Sequence, residues 1–334
     1  MDDEPIGAGN ALSPAPTPGT TGNPIVDGTS RLLLFLERLL TPQSSLWGKR
    51  PHDMNDEELR EAAFKLAIAF VDGLGFIVQT SLGDAAVDDP SWHHPWPTTV
   101  ESFVRSMFMT AIDAFGTATV GLGVNASVTS TSDIRALAEC HVLMRWVLDA
   151  ETDYEQRSRV LAMTRTGNKR ARKSLERWER TVTGPQESAM TAYVREALDA
   201  AQGDFDAIVD RYKLTIPKRP EIASLFDQYL RGGYVTFALA SDIGARRGPS
   251  PFFFYGESDP AAADWDYRSL SVERSFWITQ ACKIQLENCK LADTVFAWFD
   301  QEHVAKRIAD ELSPVAAEAE RRFTAKRDPR RIWI

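Results

Sequence analysis

"SDIRALAECHVLMRW", residues 132–146, decides the fold class. At about 100° per residue, with Arg135 at 0°, Glu139 falls near 40°, His141 near 240°, Arg145 near 280° and Asp149 near 320°. The opposite arc holds only Leu143, Ala136, Val147, Cys140, Met144, Leu137 and Leu148. A clean apolar half beside a mixed half is the signature of an amphipathic helix packed against others. Arg135 and Glu139, one turn apart, are spaced to pair.

Outward from this stretch the same period recurs. "NDEELREAAFKLAIAFVDGLGFIVQTS" opens with Asn55 and Glu58 at capping-box spacing, and Thr98 with Glu101 opens "TTVESFVRSMFMTAIDAF" in the same way. Ser130 and Asp133 mark the start of the helix that carries the opening stretch, after a Gly- and Thr-rich link at 116–131. Further helices are expected over 153–184 (with a break at Thr166-Gly167), 185–202 and 221 onward. Two final long ones follow, at 267–299 and 302–325, and "RLLLFLERLL" at 31–40 is also helical in pattern. "DFDAIVDRYKL" reads as a separate short helix and "TIPKRPE" as a turn. Alternation of strand length is rare, so the expected class is all-α: a multi-helix bundle with a disordered N-terminal tail. The tail is residues 1–28, where five Pro and five Gly sit among small polar residues. The helical domain is 29–325, and 326–334 form a basic C-terminal tail.

Composition excludes several classes. Charged residues make up 25% and hydrophobic ones 43% of 334 residues, as in globular proteins. The apolar stretches each carry Lys65 and Asp72 or Arg105 and Asp113, so buried core helices are expected rather than membrane spans. With no signal-peptide pattern, the expected location is the cytoplasm. Cys140, Cys282 and Cys289 are too few for a disulfide framework. Seven apart, the last two share a helix face. No metal site or cofactor is expected. His93 and His94 in "SWHHPWP" are adjacent and point apart, and the glycines at 116, 121 and 123 lack the Lys-Ser/Thr of a phosphate loop.

The chain's net charge of −9 argues against general nucleic-acid binding, yet nine Lys or Arg lie between Arg157 and Arg180 against Glu176 and Glu179. Lys169, Arg170, Arg172, Lys173 and Arg177, with Trp178 interleaved, are the candidate RNA-binding residues. A solvated helix face is the alternative.

Arg135, Glu139, His141 and Arg145 are the candidate catalytic residues. They also fit a polar seam that fixes helix register. Arg135 and His141 form R-x5-H, which resembles the R-x4-6-H motif of HEPN ribonucleases, although Ala136 stands where those motifs carry a polar residue. The resemblance implies an all-helical bacterial defence or toxin protein, a dimeric cleft and metal-independent RNA cleavage. Arg135 would then stabilise phosphate charge and His141 act as acid–base. A broader resemblance, over about 130–300, is to an uncharacterised bacterial all-helical family with an R-x-L-x-E signature (Arg135, Leu137, Glu139), an aromatic after it and then a basic helix. That family pairs a later Ser with His four residues on; here Ser241 is followed by Ala245. The leading functional expectation is a helical scaffold or interaction module, with the ribonuclease as its rival. Long apolar helices are compatible with a homodimer in either case.

Overall fold

One helix is buried almost around its full circumference, and the others are arranged to make that possible. The computed structural model describes residues 49–85, 97–123, 127–230, 267–296 and 301–326. In chain order it has a 3-10 turn (Pro51–Asp53) followed by α1 (Asp56–Ala85), α2 (Val100–Gly123), α3 (Ser127–Leu148) and α4 (Asp153–Glu179). After these come α5 (Pro185–Tyr212), α6 (Ile222–Tyr229), α7 (Tyr267–Phe296) and α8 (Gln301–Lys326). Among the described residues there is no strand, and the protein is all-α as its periodicity predicts. The expected tail at 1–28, the 31–40 helix, the "SWHHPWP" loop, Ser241 and Ala245, and 327–334 lie outside the described residues.

Between Arg274 and Asp293 of α7 only Glu287 is exposed. A helix with apolar residues on most of its circumference needs neighbours on most sides, and only the Lys283, Glu287 and Lys290 stripe is left to solvent. Here α1, α2, α3 and α8 surround it. Trp277, Ile278, Ala281, Cys282, Leu286 and Cys289 join Phe103, Phe108 and Phe115 of α2 and Leu137 and Met144 of α3 in one continuous core. Each large side chain so buried contributes about 1.5–3 kcal/mol. Cys140, Cys282 and Cys289 are free and buried. Burial pushes the Cys140 and Cys282 thiols up to about 12, so they pack as small apolar groups. No described helix is long and apolar enough to cross a membrane.

Local sequence explains the helix starts. At α1, Glu58 N–H donates to Asn55 Oδ1 (2.9 Å) and Asn55 N–H to Glu58 Oε2 (2.8 Å), the expected reciprocal cap. At α2 the cap lies one residue later than its spacing suggests: Ser102 N–H donates to Thr99 Oγ1 at 3.1 Å, and Thr99 N–H to Ser102 Oγ at 3.2 Å. The Gly-rich link is mostly helix, because α2 runs on to Gly123 and α3 starts at Ser127. Gly123 is needed there, since a Cβ would overlap the Phe64 ring of α1. No break occurs at Thr166-Gly167. The Thr166 hydroxyl donates to Ala162 O at 2.8 Å within an unbroken α4, and α5 passes through Gly203 without interruption to Tyr212. One glycine costs only about 1 kcal/mol, less than the packing of the helices that contain them.

Helix α4 joins the core through Val160 and Ala162, and α5 stands off it. Helix α5 packs on α4, and their apolar contact is small: Leu161, Phe205 and Leu214 with Ile208, Val209 and Ile216 around them. The pair is held further by Arg172–Asp199 (2.7 Å), Asn168 Nδ2 donating to Gln202 Oε1 (2.9 Å), and Arg195–Glu179.

At the other side of the bundle Arg322 ties α8 to the start of α1. Its guanidinium meets Glu318 (2.6 Å) and Asp56 (2.8 Å) and donates to Met54 O (2.7 Å). Arg321 grips the same Glu318 at 2.6 Å, and the two guanidiniums hold that carboxyl well down, at about 2. Arg322 and Glu318 side chains are only 12% and 8% exposed. Arg322→Ala leaves a buried carboxylate with half its partners, so the expected loss is about 3–5 kcal/mol, read as a lower urea midpoint with an unchanged slope. An unchanged midpoint would refute this role.

Candidate functional site

The mixed half of α3 is divided among three neighbours. Toward α7, His141 is 6% exposed and its Nδ1 lies 3.1 Å from Asn288 Oδ1. Asn288 in turn donates through Nδ2 to Gln285 Oε1 at 3.4 Å. With Asn288 accepting, the imidazole carries its proton on Nδ1. Burial lowers the His141 pKa below its ordinary value, outweighing the Asn288 hydrogen bond, so the ring is neutral near pH 7.

Toward α6, Arg145 lies 3.7 Å from Asp149 and 5.9 Å over the Tyr229 ring. Burial, with Asp149 beside it, raises the Tyr229 pKa. Arg145 and Asp149 also line a cleft of about 830 Å³ with Tyr154, Arg157, Tyr212 and Leu291. In it Arg157 stacks over Tyr212 at 4.6 Å.

The third neighbour is the segment 213–221, which crosses α4 before turning into α6. Tyr154 O–H donates to Lys213 O (2.8 Å) and accepts from Thr215 N–H (3.0 Å), and Arg165 Nη2 donates to Pro217 O (2.8 Å). Arg219 thereby sits half-buried, within electrostatic reach of Arg170 of α4 and Glu139 of α3. Burial first, then the like charge of Arg170, lower its pKa, and Glu139 opposes them. Glu139 is paired with Arg135 at 2.7 Å.

The structure thus joins Arg135 to Glu139 and sends His141 elsewhere, into the core. The four candidate catalytic residues form no common cluster, and His141 does not share an open cleft with the basic face of α4. Chemically the His141–Asn288–Gln285 chain is a buried polar seam that sets the register of α3 on α7.

Of the candidate RNA-binding residues, Lys169, Arg170, Lys173 and Arg177 are exposed, and no acid among the described residues pairs with them. At about 100° per residue they fall within an arc of about 100° on the outer side of α4. Glu176 flanks this stripe without pairing with it. Arg172 lies apart, half-buried between the helices, where it meets Asp199 and donates to Leu198 O at 2.9 Å. No family model, no curated protein and no solved structure matches this chain.

Arg219 is the residue that sequence reasoning passed over. "TIPKRPE" is a turn, as its prolines suggest, but the basic pair between them was the available signal. No group of acids, His and Cys suited to a metal ion occurs among the described residues.

The His141 environment makes stability depend on pH. Above about 6.5 neither state binds the proton. Below that, the unfolded chain takes it up and the folded chain resists it, so stability falls with pH by up to about 1.4 kcal/mol per unit until the lowered native pKa is reached. The Glu318 contribution is lost only lower down, between its unfolded value near 4.5 and about 2. Between pH 6.5 and 5, urea unfolding should therefore weaken in the parent and stay flat in His141→Gln. Equal slopes in the two would show that His141 is not the group responsible.

Proposed function

We propose that this protein is an interaction module that binds single-stranded RNA along α4, with the helical bundle as scaffold. The observation that carries the reading is the stripe of Lys169, Lys173, Arg177 and Arg170, four exposed cations with no carboxylate partner in a chain of net charge −9. Unpaired cations on one face attract phosphates and release their counterions. Structural cations in this molecule are handled differently: Arg322, Arg172 and Arg159 each have a carboxylate. Aromatic groups support single strands over duplex. Trp178, 40% exposed, borders the stripe about 80° beyond Arg170 around the helix, and Tyr193 on α5 is 69% exposed near the Arg195–Glu179 pair at the same end. Such rings stack on unpaired bases, each worth about 1–3 kcal/mol. The ribonuclease reading draws no comparable support, since its proposed acid–base is enclosed beside Asn288.

Fluorescence anisotropy with a labelled single-stranded RNA, titrated from about 50 to 200 mM salt, tests this. The triple variant Lys169→Glu, Lys173→Glu, Arg177→Glu should bind at least about tenfold more weakly, with a salt slope shallower by about 2 from three lost contacts. Unchanged affinity would refute the stripe. Duplex RNA and single-stranded DNA run as comparators, and the RNA recovered in EDTA should be intact. Cleavage abolished by His141→Ala would favour the ribonuclease instead.

A further inference from the structure

Residues of α2, α3, α4, α5 and α7 line the cleft of about 830 Å³ at the C-terminal end of α3. That volume lies in the range of small-molecule sites, about 300–1,000 Å³. Its wall has two parts. Leu148, Leu214, Leu291 and Val295 are apolar, whereas Glu101, Asp149, Asp153, Arg145 and Arg157 carry charge. Arg145 and Asp149 meet each other at 3.7 Å. Among the described residues, Glu101, Asp153 and Arg157 have no ion-pair partner.

Asp153 and Arg157 stand one turn apart on α4 with the acid N-terminal, the favourable order for an ion pair. The pair is nevertheless unmade, and Arg157 lies over the Tyr212 ring at 4.6 Å instead. The N-terminus of α4 favours an acid at Asp153 but gives no reason for Arg157 to leave it. Tyr154, beside Asp153, is fixed by its hydroxyl, which donates to Lys213 O at 2.8 Å and accepts from Thr215 N–H at 3.0 Å. The Tyr154 and Tyr212 rings are 48% and 45% exposed, and both line the cleft. One acid and one base on the wall of a cavity, a turn apart and each without a partner, complement a molecule that carries both charges.

We propose that this cleft binds a small zwitterion, an amino acid or dipeptide with apolar side chains. Its ammonium meets Asp153. Its carboxylate meets the Arg157 guanidinium, whose forked donors suit two oxygens at once. Its side chain lies against Leu148, Leu214 and Leu291. The three acids and two bases of the wall sum to a charge of −1, which disfavours a nucleotide and leaves Glu101 to attract the ammonium end. The site uses no residue of the α4 stripe and does not rest on the RNA reading.

Isothermal titration calorimetry with L-leucine and with leucyl-leucine tests the site. N-acetyl-leucine, which lacks the ammonium, leucinamide, which lacks the carboxylate, and adenosine monophosphate run as comparators. At least one zwitterion should bind about tenfold more tightly than either capped form, as expected for loss of a charge-assisted hydrogen bond. The tighter of the two zwitterions shows whether the ligand is the amino acid or the dipeptide. Asp153→Asn should lose the preference over N-acetyl-leucine and keep that over leucinamide, and Arg157→Gln should do the reverse. A merely damaged protein would not divide the two preferences in this way. No binding of either zwitterion at millimolar concentration overturns the proposal, as do equal binding of the capped forms and a preference for the mononucleotide. Zwitterion binding whose selectivity survives in both variants places the ligand elsewhere and overturns it too.

Discussion

Enclosure of α7 is the constraint on which the other elements depend. From Arg274 to Asp293 it is covered by α1, α2, α3 and α8 except along the stripe of Lys283, Glu287 and Lys290, and those four neighbours take most of the contact it offers. Helix α4 is thereby left at the edge, with only one face, at Val160 and Ala162, in the core, and α5 lies beyond it. Apolar contact around Leu161, Phe205 and Leu214 joins them, together with polar links such as Arg172–Asp199. A pair of helices without a deep core has little need for apolar outer faces, so α4 is free to carry charge. The functional surface is thus what remains after the core has been satisfied.

The same constraint accounts for the polar groups inside. On the faces of α7 and α3 that meet, His141, Asn288 and Gln285 cannot reach water, so they meet one another. Two of these lie on α7 and one on α3, and a shift of either helix by one residue would separate them. Apolar side chains tolerate such sliding much better, because dispersion and area burial are weakly directional. The seam therefore does for register what Glu318 and Arg322 do for the docking of α8 onto α1. Both cases place a few directional contacts where the apolar packing is indifferent.

These facts also say what the sequence could reveal. The helical class and the apolar half of α3 were legible because a 3.6-residue period is written locally, as was the Asn55–Glu58 cap. Residues 166–167, 203 and 116–123 misled, since glycine lowers local helix propensity while the packing that overrides it is tertiary. The candidate site was harder for the same reason. Arg135 with Glu139 is an i,i+4 relation and could be read directly. That His141 turns to Asn288, 147 residues away, could not. Nor could Arg219 be assigned, because its significance arises from Arg170 and Glu139, which the 213–221 segment brings to it from two different helices.

Charge in the α4–α5 pair is segregated, not merely abundant. Helix α5 carries Glu187, Glu196, Asp199, Asp204, Asp206 and Asp210, so neutralising acids are close at hand. Yet Asp199 meets Arg172, Asp206 accepts from Gln202 and Glu187 caps its own helix, while Glu179 on α4 meets Arg195. These pairings lie between or within the helices, and the stripe faces outward from α4. Across the width of a helix, about 10 Å, exposed charges are already separated by roughly a Debye length at physiological salt. The acids of α5 therefore stabilise the pair without cancelling the outer face of α4. Such a surface keeps a positive field in an acidic protein, and its attraction for an anion is local, directional and sensitive to salt.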